Sequence, residues 1–219
     1  MLVDILAYRG WAIDIANSVR NNLYLKHEIH IHTSLENCHK DASLTFLLGW
    51  SDIVPLEFYK DKTVLVLHPS PLPRYRGGSP IQHQIMAGET ESAVTLFFLN
   101  TDFPYVDSGP IYRQCPFSLE GDLSDILSRI TEIGIELVTA AIEDSNENGI
   151  YMRFRKQDET MATTFKRRRP EQSEITVEDL QALTAKQLYD KIRALQDPYP
   201  NAFITCNDGS KLYITKAHL

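Results

Sequence analysis

The sequence is poor in cysteine and in positive charge, and it holds no long apolar run. Three cysteines, Cys38, Cys115 and Cys206, are scattered with no C-x-x-C spacing. An odd number so placed argues against a disulfide framework and fits a reducing compartment. Lysine and arginine total 22 against 29 aspartate and glutamate, a formal charge of −7. That balance disfavours a grip on long polyanions, which draws on many cationic contacts. No apolar stretch approaches a membrane span, and the opening MLVDILAYRGWAIDIA carries no basic segment ahead of its apolar residues. These absences predict a cytoplasmic protein with neither a nucleic-acid nor a membrane partner. A G-x-G-x-x-G loop is also missing after the first apolar run, where AYRGWA stands instead, so there is no dinucleotide fingerprint.

What is present suits one substantial domain with a small appendage, since 219 residues can bury a sizeable core. Apolar runs at 2–8, 27–33, 43–50, 63–68, 92–100 and 108–119 read as strands. Helical spacing appears at 11–23, 54–61, 79–89 and 122–145. Ser79 and Pro80 suit the cap and first position of the third helix. Strands alternating with helices predict an α/β sheet with parallel strands. Only about ten residues separate the second and third strands, so the helix expected between them is missing or reduced to a turn. Beyond Gly149 the chain is charged and weakly patterned. Helical spacing returns at 176–195, with Thr184 a plausible N-cap, and a hairpin with NDG as its turn closes the sequence. This pattern divides the chain into a main domain, 1–149, and an extension, 150–219.

The densest chemistry lies in VLVLHPSPLPRYRGGSP, residues 64–80. Ligands in α/β sheets sit beyond the carboxyl ends of strands, which is where His68 falls. The prolines after it stiffen the loop, and a general base needs that rigidity. Gly77 and Gly78 allow close backbone approach to a ligand. Asp107, in NTDFPYVDSGPI, is placed to face the same cleft and orient the imidazole, although an aspartate there also suits an ordinary turn. HEIHIH sets His30 and His32 on one strand face. Without an evident cysteine or carboxylate partner the pair reads as ordinary strand, and no metal is expected.

The stretch from LHPSPLPRYRGGSP to VDSGPI resembles the core of the folate-dependent formyltransferases. His68, Pro69, Ser70, Leu72, Pro73, Arg76, Gly77 and Pro80 match its loop, and Asp107, Gly109, Pro110 and Ile111 match its second motif. GWSDIVP extends the match more weakly towards the folate site. The resemblance implies a Rossmann-like α/β fold with a trimmed N-terminal sheet and a small C-terminal α+β extension. It implies 10-formyltetrahydrofolate as co-substrate, with His68 handling protons and Asp107 orienting it. The pterin would lie against Trp50, Ser51, Ile53, Val54, Asn100, Thr101, Phe103 and Val106. The family's asparagine two residues before the histidine is Val66 here, which removes an oxyanion donor; Asn100, Gln82 and Gln84 are the local amides.

The segment RALQDPYPNAF resembles the end of the bacterial nucleotide-sugar N-formyltransferases, which implies a nucleotide-linked amino sugar as acceptor. Ser70, Arg74, Tyr75, Arg76, Gly77 and Gly78 would meet it, the arginines at its diphosphate, unless Arg74 is simply solvated and Arg76 braces its own loop. Arg193, Tyr199 and Asn201 also suit the sugar or base. The basic run KRRR, 166–169, reads as a solvated face, and an exposed hairpin edge suits a homodimer. Another small amine, or folate and nucleotide-sugar binding without turnover, remain the alternatives.

Overall fold

A computed structural model describes residues 1–99, 102–103, 105–146, 149–150 and 152–219. Strands β1 (Leu2–Ala7), β2 (Glu28–His32), β3 (Leu44–Leu48), β4 (Val64–His68), β6 (Glu91–Leu99) and β7 (Ile111–Ser118) build one six-stranded sheet, and β5 (Arg76–Gly77) stands apart from it. The sheet order is β2-β1-β3-β4-β6-β7. The first four strands run parallel, and their central members are apolar almost throughout because both faces are covered. Helices α1 (Gly10–Leu23) and α4 (Leu123–Glu143) cover one face, α1 burying Trp11, Ala12, Ile15, Ala16, Val19 and Leu23 at helical spacing. Asp122 and Asp125 start α4 with a reciprocal capping box. On the other face Leu6, Leu47 and Val64 pack under Leu35, Cys38, Phe58 and Tyr59, the last two on α2 (Leu56–Tyr59).

The reduced second crossover is a single 3-10 turn, Leu35–Asn37. The expected parallel arrangement needs one correction: β6 runs antiparallel to β4, and β7, antiparallel to β6, again follows the direction of the first four strands. Much of the chain after His68 is spent on a tight loop. The helix that follows, α3 (Pro80–Met86), rises only about 10 Å, too short to return the chain along β4. Ser79 precedes α3 as expected but caps it differently. It is left-handed, with φ +54, and its hydroxyl accepts from the Arg168 amide at 3.1 Å.

Short strands β8 (Ser145–Asn146) and β9 (Gly149–Ile150) pair with each other after α4. Residues 152–169 then run back along the loop that follows β4, where β10 (Thr164–Phe165) pairs with β5. Helices α5 (Val177–Ala182) and α6 (Ala185–Ala194) and the hairpin of β11 (Ala202–Thr205) and β12 (Lys211–Ile214) follow. Thr184 caps α6 as its sequence predicts. Ile175, Ile192, Leu195 and Ala202 form a small second core there. Arg193 joins this part to the sheet: it is buried, pairs with Asp190 at 2.7 Å and donates to the Leu119 and Gly121 carbonyls, so it does not reach out to a ligand. No helix among the described residues is long and apolar enough to cross a membrane.

Candidate active site

β4, an interior strand, ends at its carboxyl end on His68, which is 7% exposed. Its Nε2 lies 2.9 Å from the Tyr75 carbonyl oxygen, which can only accept a hydrogen bond. Nε2 therefore carries hydrogen, and Nδ1 is the nitrogen left for chemistry. Nδ1 faces Asp107 Oδ2 at 3.5 Å, beyond a good hydrogen bond. Asp107 Oδ2 instead accepts the Gly77 amide at 2.8 Å. The imidazole and carboxylate thus flank a common space with their outer sides fixed. Tyr75, Ser79 and Asp107 all hold positive φ, of 60°, 54° and 53°. Non-glycine residues seldom sit there, and such positions gather where the surroundings enforce a site.

The enforcement comes from residues 155–168. Arg155 exchanges backbone hydrogen bonds with Ile111, both 2.8 Å. The Gln157 amide donates to the Asp107 and Gly109 carbonyls, each at 2.7 Å, while its oxygen accepts from Arg76. Glu159 takes the other side of the Arg76 guanidinium as a bidentate pair at 2.7 and 2.8 Å. That pairing outweighs partial burial and holds the Glu159 carboxyl below its ordinary range. Thr163 accepts the Tyr75 amide at 2.8 Å, and its backbone meets Pro73 and Arg76. Phe165 stacks on Tyr75 with ring centres 5.1 Å apart and accepts the Gly78 amide. The Lys166 carbonyl takes His83 Nε2.

Several expected substrate contacts therefore face inward. Arg76 is 2% exposed and spends four of its five guanidinium hydrogens on Gln157 and Glu159, so it braces the loop rather than reaching out to a diphosphate. Ser70 is fully buried, its hydroxyl donating to the Arg74 carbonyl. At Gly77, with φ +90, a Cβ would stand 2.3 Å from the Phe165 oxygen, and at Gly78 one would stand 2.4 Å from the Arg167 Cα. The glycines admit the protein's own strap where a ligand was expected. Tyr75 is buried, with its hydroxyl on Glu89. Arg74 alone keeps an exposed head, paired with Glu89. Lys166, Arg167 and Arg169 of the basic run are exposed beside the loop.

Of the expected folate contacts, Asn100 and Thr101 lie outside the described residues. Ile53 and Val106 are exposed apolar side chains, while Val54 and Phe103 are half-buried. Trp50 meets Tyr8 edge-on, and its buried Nε1 has no hydrogen-bond partner among the described residues. The exposed apolar surface of Ile53 and Val106 fits a flat ring such as a pterin. Ser51 accepts from Arg9 at 2.6 Å. Arg9, unremarkable in the sequence, also donates to the Gly49 carbonyl and lies over the Tyr8 and Tyr199 rings. Val66 packs with Leu72, Phe97 and Ile111. Gln84 is fully engaged with Pro69, Pro80 and Ser92, whereas Gln82 Nε2 is buried and has no partner among the described residues.

Residues 21–142 match the formyl transferase family, and residues 171–219 match the formyl transferase C-terminal domain. The methionyl-tRNA formyltransferase of Moorella thermoacetica is 34% identical over 159 residues, covering 70% of this chain and 46% of that protein. The chain spans about half the length of the curated relatives it matches. Among solved structures, a methionyl-tRNA formyltransferase from Clostridium thermocellum aligns with a TM-score of 0.82 at 25% identity, over 98% of this chain and 97% of that one. A sugar N-formyltransferase from Shewanella aligns at 0.75 and 16% identity, over 100% and 98%. HypX from Aquifex aeolicus in complex with tetrahydrofolic acid aligns at 0.77 and 22%, over 96% and 36%. The last two share the fold. Matched by its N-terminal model over more than half its length, the chain belongs to the formyl transferase family.

Proposed function

We propose that this protein transfers the formyl group of 10-formyltetrahydrofolate to the primary amine of a nucleotide-linked amino sugar. The observation that carries the transfer is the His68–Asp107 pair, with Nε2 tied to Tyr75 and Nδ1 turned towards the carboxylate. When bound, the folate supplies an activated formyl carbon to the incoming amine. His68 Nδ1 takes the proton the amine sheds and returns it to the folate nitrogen that the formyl carbon leaves, and Asp107 steadies the charged ring and its orientation. The Gly77 amide keeps Asp107 aimed there. Trp50, Ile53, Val54, Phe103 and Val106 hold the pterin.

The acidic net charge and the exposed Lys166, Arg167 and Arg169 beside the catalytic loop support a small phosphate-bearing acceptor. On this reading the protein works in the cytosol, where folate and sugar nucleotides meet. It pairs with a second copy along β12, whose Leu212 and Tyr213 are exposed. A second reading, methionyl-tRNA as acceptor, is favoured by the Moorella relative and by the match at 171–219.

Mass spectrometry of reactions containing 10-formyltetrahydrofolate and either pooled nucleotide-linked amino sugars or methionyl-tRNA separates these readings. One added formyl group on a sugar nucleotide supports the first reading, and one on the tRNA-bound methionine replaces its acceptor. No product from either, with folate bound, overturns both.

A further inference from the structure

Across the sheet from His68 lies a side-chain cluster that formyl transfer does not use. Asp4 sits in the middle of β1 with no exposure at all. The register of β1 on β2 sets Asp4 beside His30 and Leu6 beside His32, so Asp4, His30 and His32 share one sheet face. The short link that replaces the second crossover helix folds down on that face. The His39 amide donates to Asp4 Oδ2 at 2.6 Å. His39 Nδ1 and His32 Nε2 both meet Asp4 Oδ1, at 2.8 and 2.9 Å. Cys38 arrives from the same link, and ligand atoms of Asp4, His32 and Cys38 all lie within 4.8 Å of one another. The carboxylate and cysteine that HEIHIH lacks in the sequence are supplied by the fold.

Two plainer readings leave part of this cluster unexplained. Asp4 pins the link through His39 and His32 alone, and that task makes no use of Cys38. The second reading, a reactive thiol, needs a cation or imidazole in hydrogen-bond contact, and among the described residues Cys38 has neither. The thiol's hydrogen-bond contact is the Ser34 carbonyl at 4.0 Å, a weak one. Carboxylate oxygen, imidazole nitrogen and cysteine sulfur together make a donor set suited to Zn²⁺. Bonds of about 2.0–2.3 Å to a tetrahedral ion set such donors roughly 3.3–3.8 Å apart, so a small side-chain rotation closes the set. A ligating carboxylate is commonly held by an outer hydrogen bond, the position His39 occupies.

We propose that Asp4, His32 and Cys38 bind a zinc ion, with solvent completing the coordination and His39 holding the Asp4 carboxylate. Binding replaces the thiol proton, which leaves to solvent, and His32 ligates through Nε2 with its hydrogen moved to Nδ1. β2 lies three strands from β4, roughly 14 Å by strand spacing, so the ion ties down the edge strand and its link and takes no part in transfer.

The test is cobalt substitution of chelator-stripped full-length protein. The wild type is expected to show the visible bands of tetrahedral cobalt and a near-ultraviolet thiolate-to-cobalt band, and to melt several degrees higher when zinc is added. Cys38→Ser should lose the charge-transfer band, whereas Cys206→Ser, at an exposed site, should keep it. His39→Ala should weaken zinc binding by about 10–100-fold. An octahedral wild-type cobalt spectrum without a thiolate band overturns the site, and that result needs no variant. Zinc affinity in Cys38→Ser equal to that of the wild type overturns it as well.

Discussion

Residues 64–80 and residues 155–168 build the same site from opposite kinds of sequence. The first stretch declares itself through a buried strand, a histidine, prolines and paired glycines. The second is charged, weakly patterned and almost without regular structure, yet it supplies Gln157, Glu159, Thr163 and Phe165 to every turn of the catalytic loop. A catalytic group is recognisable because its chemistry limits the residue type. A brace is not, because its task is set by a partner about eighty residues away, and many polar side chains suit it.

The largest expected effect tests the first stretch. His68→Ala should lower the transfer rate by about 10³–10⁴-fold and Asp107→Asn by about 10³-fold, with folate affinity changed only a few-fold. Single-turnover transfer and folate titration separate these terms, and unimpaired turnover in either variant contradicts the assignment. Gly77→Ala tests the junction of the two stretches. Positive φ and the Phe165 oxygen leave no room for a Cβ, so chemical unfolding should show a loss of about 2–4 kcal/mol.

Val66→Asn comes next and probes what the first stretch lacks. It restores a donor on the strand face of His68 while disturbing Leu72, Phe97 and Ile111. It should raise the rate by up to about 10²-fold and lower stability by about 1–3 kcal/mol. No gain in rate would mean that another donor already serves, Gln82 Nε2 being one without a partner among the described residues.

The smallest effect belongs to Glu159. Its carboxyl is held below the ordinary 4.5 by Arg76, so its contribution is complete above pH 4.5 and is lost as pH falls through the lower folded value. Glu159→Gln should remove that acid-side loss in thermal melts. The difference should be under about 1 kcal/mol, since the carboxylate is half in water.

The strands up to β4, the reduced second crossover, the capped α6 and the closing hairpin are all legible, because periodicity, link length and turn residues set them locally. The antiparallel entry of β6 is not, since it depends on how much chain the loop after His68 consumes. The choice between the two roles open to Arg76, phosphate contact or loop brace, is hidden for a related reason. A conspicuous arginine beside glycines suits a phosphate, and only the fold shows Gln157 and Glu159 claiming it. The neighbours of His32 are invisible in the sequence, because Asp4 and Cys38 join it from separate elements.

Gln157→Ala tests the shared construction most directly. Gln157 touches no reacting atom, yet it holds both carbonyls that flank the Asp107 turn. The account predicts a fall in kcat of about 10–10²-fold, with folate affinity kept and the folded state intact by circular dichroism. A kcat equal to that of the wild type in a folded Gln157→Ala protein would contradict it, and would make the 155–168 strap a passenger on a site complete without it.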